Sequence, residues 1–268
     1  MKKEKEKRVV LVTGASSGIG KATAIKFVNE GDIVYGMATT SQYEIAGATA
    51  LTGDITNQAD VERIINTIMQ NEGRIDVLLN IAGFGISGSV EFCDMESIQR
   101  QMDVNFMGAV RMTKAVLPIM REQKSGCIIN ITSPAGAIFP MPYQAFYASS
   151  KAALEMFTHS LRVEVKDFGI KVCAVTPGDT KTGFTNARKK QENDRDHVYK
   201  NESTSVNRME KFERKGMSAE KVANAIYKMS TKKNPPPSKL VGFEYKVYAF
   251  INRFVPKRFV LWLLPKLY

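Results

Sequence analysis

Two side chains four residues apart set the first chemical question. Tyr147 and Lys151, in Tyr147-Ala148-Ser149-Ser150-Lys151, fall in a stretch with helical spacing. Positions i and i+4 share a helical face, so phenol and ammonium would lie side by side. A free tyrosine titrates near pH ~10. A neighbouring cation stabilises the phenolate and lowers that value. A phenol tuned in this way can exchange a proton with an alcohol or ketone oxygen. Ser133 lies fourteen residues upstream, just past an apolar run, and offers a hydroxyl to the same oxygen. Alone, neither feature is distinctive: a tyrosine–lysine pair often sits on a solvated helix face, and a lone serine carries no chemistry.

A second motif gives them a context. Thr13-Gly14-Ala15-Ser16-Ser17-Gly18-Ile19-Gly20 follows a β-branched run, Val9–Val12, and opens a helical pattern over Lys21–Asn29. Glycines at this junction let backbone approach a pyrophosphate, and the helix N-terminus offers free N–H groups. A dinucleotide site selective for NAD usually places an acid about twenty residues further on, for the ribose 2′-hydroxyl. Here that stretch reads Met37-Ala38-Thr39-Thr40-Ser41, without an acid. Hydroxyls of Thr39 and Thr40 suit a 2′-phosphate, so NADP(H) is expected in preference to NAD(H), although no arginine is present to hold it.

The elements that must position these groups alternate. Strands are expected at Val9–Val12, Ile33–Met37, Ile75–Asn80, Cys127–Ile131 and Ile170–Val175. Helices are expected at Lys21–Asn29, Val61–Gln70, Ser97–Arg121 and Ala145–Lys166. Strand–helix alternation implies an α/β fold, a doubly wound parallel sheet of Rossmann type. The 268 residues suit a single domain with a helical C-terminal extension. Residues 185–216 are polar and densely charged, read as a long loop or mobile helical segment, and 183–217 is expected to be a lid over the ligand. Residues 239–268 are expected to form a last strand and an amphipathic helical extension.

Composition narrows the function classes. Three scattered cysteines, Cys93, Cys127 and Cys173, exclude a zinc ribbon or redox dithiol, and a reducing, cytoplasmic setting is expected. Two distant histidines, His159 and His197, suggest no metal site. The apolar run after the charged N-terminus is too short for a signal peptide, and no run of about eighteen apolar residues exists to span a membrane. The net charge of +11 is uneven: residues 9–187 carry −3, whereas 188–268 carry 19 basic and 8 acidic side chains. Such an excess attracts anionic partners or is a solvated surface. No recognisable nucleic-acid module accompanies it, so nucleic-acid binding is not expected.

Taken together, these motifs resemble the short-chain dehydrogenase/reductase family, from about Val9 to Thr182. The family's glycine loop matches Gly14, Gly18 and Gly20, with Ser16, Ser17 and Ile19 between and beside them. Its adenine-side aspartate matches Asp54, followed by Ile55, and its NNAG motif appears as Asn80-Ile81-Ala82-Gly83. Ile81 stands where relatives have an asparagine that steadies the central sheet. The resemblance implies a catalytic set of Asn105, Ser133, Tyr147 and Lys151. It also implies cofactor contacts at Pro177, Gly178, Thr180 and Thr182, with Thr180 replacing the usual aliphatic residue. It further implies hydride transfer between a nicotinamide and a carbinol or carbonyl carbon. Ser133 would polarise the oxygen, Tyr147 would exchange the proton, and Lys151 would lower the tyrosine pKa. Asn105 would hold a water linking Lys151 to solvent. Relatives are mostly dimers or tetramers joined through the two long helices, so a homodimer or homotetramer is expected.

The substrate is less defined. The segment 135–146, AGAIFPMPYQAF, is apolar and uncharged. It points to a hydrophobic ketone or alcohol such as a steroid, with Ala135 and Tyr143 beside Ser133 and Tyr147 as substrate contacts and Phe139, Met141 and Phe146 as further wall candidates. The alternatives are a 3-oxoacyl thioester reductase meeting an acidic carrier, and a cofactor-sensing protein without turnover. The aromatic, basic end, 239–268, resembles lipid- and steroid-active members. It is expected to close the substrate site, pack on a second subunit, touch a membrane surface, or form ordinary core.

Overall fold

The computed structural model describes residues 7–190 and 198–267. Five fully buried residues, Val9–Thr13, form β1. Its side chains alternate, with Val9 and Leu11 facing one core and Val10 and Val12 the other. The remaining strands of the main sheet are β2 (Ile33–Ala38), β3 (Thr49–Thr52), β4 (Val77–Asn80), β5 (Gly126–Ile131), β6 (Ile170–Pro177) and β7 (Ser238–Val241). Their order is β3-β2-β1-β4-β5-β6-β7, and every neighbouring pair is parallel. Strand order reverses at β1, where the crevice for a ligand opens in such sheets.

The helices are α1 (Gly18–Asn29), α2 (Gln58–Glu72), α3 (Met95–Met102), α4 (Ala109–Gln123), α5 (Ala145–Glu164), α6 (Glu202–Arg214), α7 (Ala219–Thr231), α8 (Phe243–Asn252) and α9 (Lys257–Leu267). On one sheet face Ala24 and Phe27 of α1 pack with Val222, Ile226 and Met229 of α7. On the other, Val61, Ile64 and Ile68 of α2 meet Met112 and Val116 of α4 and Leu161 of α5. This is the doubly wound arrangement the alternation implies.

Three elements differ from expectation. The edge strand β3 was not anticipated, because its residues are mostly exposed and supply no apolar run. Helix α7 was also missed, although it carries a capping signal: the Ser218 hydroxyl accepts from Lys221 N, and Val222, Ile226 and Met229 share a face. The expected continuous helix Ser97–Arg121 is α3 and α4 joined through a π-helical turn, Asp103–Gly108. Such a wide turn re-aims one side chain, here Asn105. Beyond the sheet, α8 and α9 form the C-terminal extension. Among the described residues no helix is long and apolar enough to cross a membrane.

Candidate active site

A cleft of about 480 Å³ opens at the carboxyl ends of the strands. After β1 it is lined by Gly14, Ser16, Ser17, Gly18, Ile19 and Gly20, after β2 by Thr39, and after β3 by Asp54 and Ile55. Ala82 and Gly83 follow β4, Ser133 and Ala135 follow β5, and Pro177, Gly178, Thr180 and Thr182 end or follow β6. Tyr147 and Lys151 reach the same cleft from α5. Phe139 and Met141 line it as well.

The glycine loop leaves no room for side chains. A Cβ on Gly20 would stand 2.0 Å from the Gly14 carbonyl oxygen. Gly14 has φ +68°, and a Cβ there would come within 2.8 Å of Ala82 Cα. Backbone is thereby exposed to the cleft at the N-terminus of α1, a surface suited to a dinucleotide's phosphates. The residues present fit a nicotinamide dinucleotide: a glycine cradle, Asp54 further along the cleft, and the half-buried Ser133 hydroxyl and Tyr147 phenol with the buried Lys151 ammonium.

Five expected residues do not line the cleft. The Asn80 side chain turns into the interior and donates to Asn130 Oδ1 at 2.8 Å and Thr113 Oγ1 at 3.3 Å. It ties β4 to β5 and α4 rather than reaching a cofactor. Thr40 is exposed beyond the rim that Thr39 forms. Tyr143 has φ +57°, its carbonyl accepts from Gly88 N, and its ring meets Tyr199 edge-on at 6.5 Å. The ring thus packs on Tyr199 and stays outside the cleft lining. Phe146 also lies outside the lining, as does Asn105.

Asn105 is buried beneath the site. Its Oδ1 accepts from Phe84 N at 3.0 Å, and its Nδ2 donates to Phe84 O at 2.9 Å and Ser150 Oγ at 3.1 Å. It clamps the loop after β4 to the helix that carries Tyr147. Thr13 Oγ1 of β1 accepts from Ile81 N at 3.0 Å and Ala82 N at 3.1 Å, which holds the loop after β4 to β1.

Burial pushes the Tyr147 phenol up to about 12, with the Ser133 hydroxyl and the Arg188 charge opposing that rise and the Glu213 charge adding to it. This is opposite in direction to the lowering expected from Lys151. Lys151 itself is fully enclosed, and desolvation brings its ammonium down to about 8. Its Nζ donates to Ile131 O at 2.8 Å. The phenol is therefore protonated at neutral pH, and the lysine is mostly cationic.

Sequence reasoning missed an ion cluster beside the tyrosine. The Arg188 side chain is wholly buried and pairs with Glu213, whose other oxygen accepts from Thr185 Oγ1 at 2.7 Å. Glu210 lies 3.6 Å from the same guanidinium and 2.9 Å from Lys190 Nζ. The guanidinium sits over the Phe184 ring at 5.6 Å, and that ring meets Tyr147 at 5.7 Å. Phe184, Met209, Phe212 and Glu213 all line the cleft, so the expected lid segment does border it; its residues 191–197, with His197, lie outside the described residues. Nothing local distinguishes Arg188 from the many charged neighbours in that run. Tyr245 of α8 lines the cleft too, its ring against Gly178, where a Cβ would approach within 2.1 Å. Among the described residues no cluster suited to a metal occurs.

Comparisons with known proteins agree with this geometry. Residues 8–193 match the family model described as short chain dehydrogenase. The chain is 42% identical over 237 residues to a 3-ketodihydrosphingosine reductase of Bacteroides thetaiotaomicron, covering 88% of each chain. A solved short-chain dehydrogenase from Streptomyces avermitilis superposes with a TM-score of 0.84 at 29% identity, covering 94% of this chain and 93% of that one. A closed serine dehydrogenase complexed with NADP+ superposes at 0.73 with 25% identity, covering 87% and 94%.

Proposed function

This chain belongs to the short-chain dehydrogenase family, as an oxidoreductase that uses a nicotinamide cofactor, and from that premise we propose that it reduces the ketone of a long-chain, lipid-like substrate with NADPH. The observation that carries the reading is the cleft itself: a protonated, half-buried Tyr147 beside Ser133, walled by Phe139, Met141, Phe184, Met209 and Phe212. The 42% identity to a 3-ketodihydrosphingosine reductase over most of both chains supports a long-chain amino ketone within that class. A steroid ketone remains a compatible shape, but nothing in the cleft favours it over a flexible chain.

When bound, the cofactor supplies or takes up hydride at the substrate carbon. The chain's own residues handle the oxygen. Ser133 holds the carbonyl oxygen by its hydroxyl. Tyr147 gives its proton to that oxygen as negative charge builds there; a phenol held at about 12 is an acid at neutral pH, which suits reduction. Lys151, one turn further on, adds positive charge under the site, and Asn105 positions the loop and helix that frame it. The exposed, acid-free rim at Thr39 underlies the NADPH preference. Residues 183–217 act as the lid through the Arg188–Glu213 anchor. Exposed Met107 in the turn before α4, with Met156 and Val163 on α5, supports a homo-oligomer joined there.

Absorbance of NADPH, followed with 3-ketodihydrosphingosine, a steroid ketone and a 3-oxoacyl thioester, tests the reading, with NADH runs beside it. The expected result is turnover of the long-chain amino ketone, at least tenfold faster with NADPH. Turnover of the thioester alone, or a preference for NADH, would overturn it.

A further inference from the structure

We infer that α8 and α9 form a docking face for an anionic lipid bilayer, on which the protein lies without spanning it. The face is defined by what the fold leaves outside. Nine of the eighteen exposed large hydrophobic side chains among the described residues fall between Phe243 and Trp262. Helix α8, Phe-Glu-Tyr-Lys-Val-Tyr-Ala-Phe-Ile-Asn, is rich in apolar residues and buries none of them. Phe250 is 63% exposed, Phe254 72% and Trp262 57%. Their rings pair along the surface, Phe250 with Phe254 at 5.2 Å and Phe259 with Trp262 at 5.5 Å.

An exposed apolar patch of this density marks an interaction surface. Its charge selects the partner. Lys246, Arg253, Lys257 and Arg258, all exposed, accompany the aromatics, with Glu244 the one acid between residues 243 and 264. Aromatic and basic side chains on short helices match a membrane interface, where rings enter the headgroup region and cations meet anionic lipid. Neither helix is long enough to cross. The face also adjoins the cleft, because Tyr245 of α8 lines it. A lipid-like molecule leaving the bilayer would thus meet the cleft without first entering bulk water.

Trp262 is the protein's only tryptophan and sits in the patch, so its emission reports docking without substrate or cofactor. The full chain would be mixed with vesicles of phosphatidylcholine and phosphatidylglycerol, or of phosphatidylcholine alone, and sedimented. The expected results are co-sedimentation and a blue-shifted emission with the anionic vesicles, both weakened at high salt. Phe250→Ser with Phe254→Ser should weaken binding about tenfold or more, with thermal midpoint and reduction of a water-soluble test ketone unchanged. Lys257→Glu with Arg258→Glu should remove the preference for anionic vesicles. No sedimentation and no spectral shift would overturn the inference. So would self-association, seen by light scattering without vesicles and lost in the double-serine variant, since a second copy would then be the occupant. Neither readout depends on turnover, so failure here is distinct from failure of the proposed reduction.

Discussion

Lys151 should leave a signature on stability that its surface counterparts do not. Its ammonium is enclosed and brought down to about 8 from 10.5 by desolvation. Below pH 8 both folded and unfolded chains carry this proton, and the folded state bears the full desolvation penalty. Between pH 8 and 10.5 the unfolded chain still binds the proton while the folded chain has released it, so stability from this group rises with pH. The span of roughly 2.5 units corresponds to on the order of 3 kcal/mol. Lys151→Met removes the titrating group but keeps a long side chain, at the cost of the bond to Ile131 O. Urea unfolding of wild type and variant, without cofactor, should be run from pH 7 to pH 10.5. The wild-type free energy minus that of the variant should increase by about 3 kcal/mol across that range. Parallel curves would refute the reasoning, because they would mean that Lys151 titrates as an exposed lysine does.

Other consequences follow from single contacts. Gly20→Ala places a Cβ 2.0 Å from the Gly14 carbonyl, so the loop must move, and NADPH affinity by fluorescence titration should fall about 100-fold. Thr39→Asp puts an acid at the β2 rim and should shift the NADPH-to-NADH ratio of kcat/KM about tenfold or more towards NADH. Glu213→Gln removes a charge that raises the Tyr147 phenol, so alcohol oxidation should gain rate at a pH lower by up to about one unit. The same change should lower the thermal midpoint, because the buried Arg188 loses its charged partner, a loss of up to about 3 kcal/mol.

The parts of the site carried by neighbouring residues were readable from sequence. The glycine loop and the Tyr147–Lys151 spacing are local, and helix or strand–turn geometry converts them into position. The parallel sheet was likewise readable, since buried strands such as Val9–Thr13 and Ile170–Pro177 are apolar runs. What failed was long-range. Asn80 sits in a recognisable motif, yet only the packed Asn130 and Thr113 show that it faces inward. Thr13 holds the backbone of Ile81 across two strands that the sequence separates by almost seventy residues. Arg188 and Glu213 each look like solvated charges until α6 folds back. Tyr143 was misplaced because a left-handed backbone at a tyrosine has no sequence signature.

The central claim is that Tyr147 passes the proton to the substrate oxygen, and Tyr147→Phe tests it most directly. NADPH consumption with 3-ketodihydrosphingosine should be measured beside NADPH binding by fluorescence. The account predicts kcat lower by about 1,000-fold with NADPH affinity within about threefold of wild type. Turnover retained within about threefold would contradict it and move proton transfer to another group.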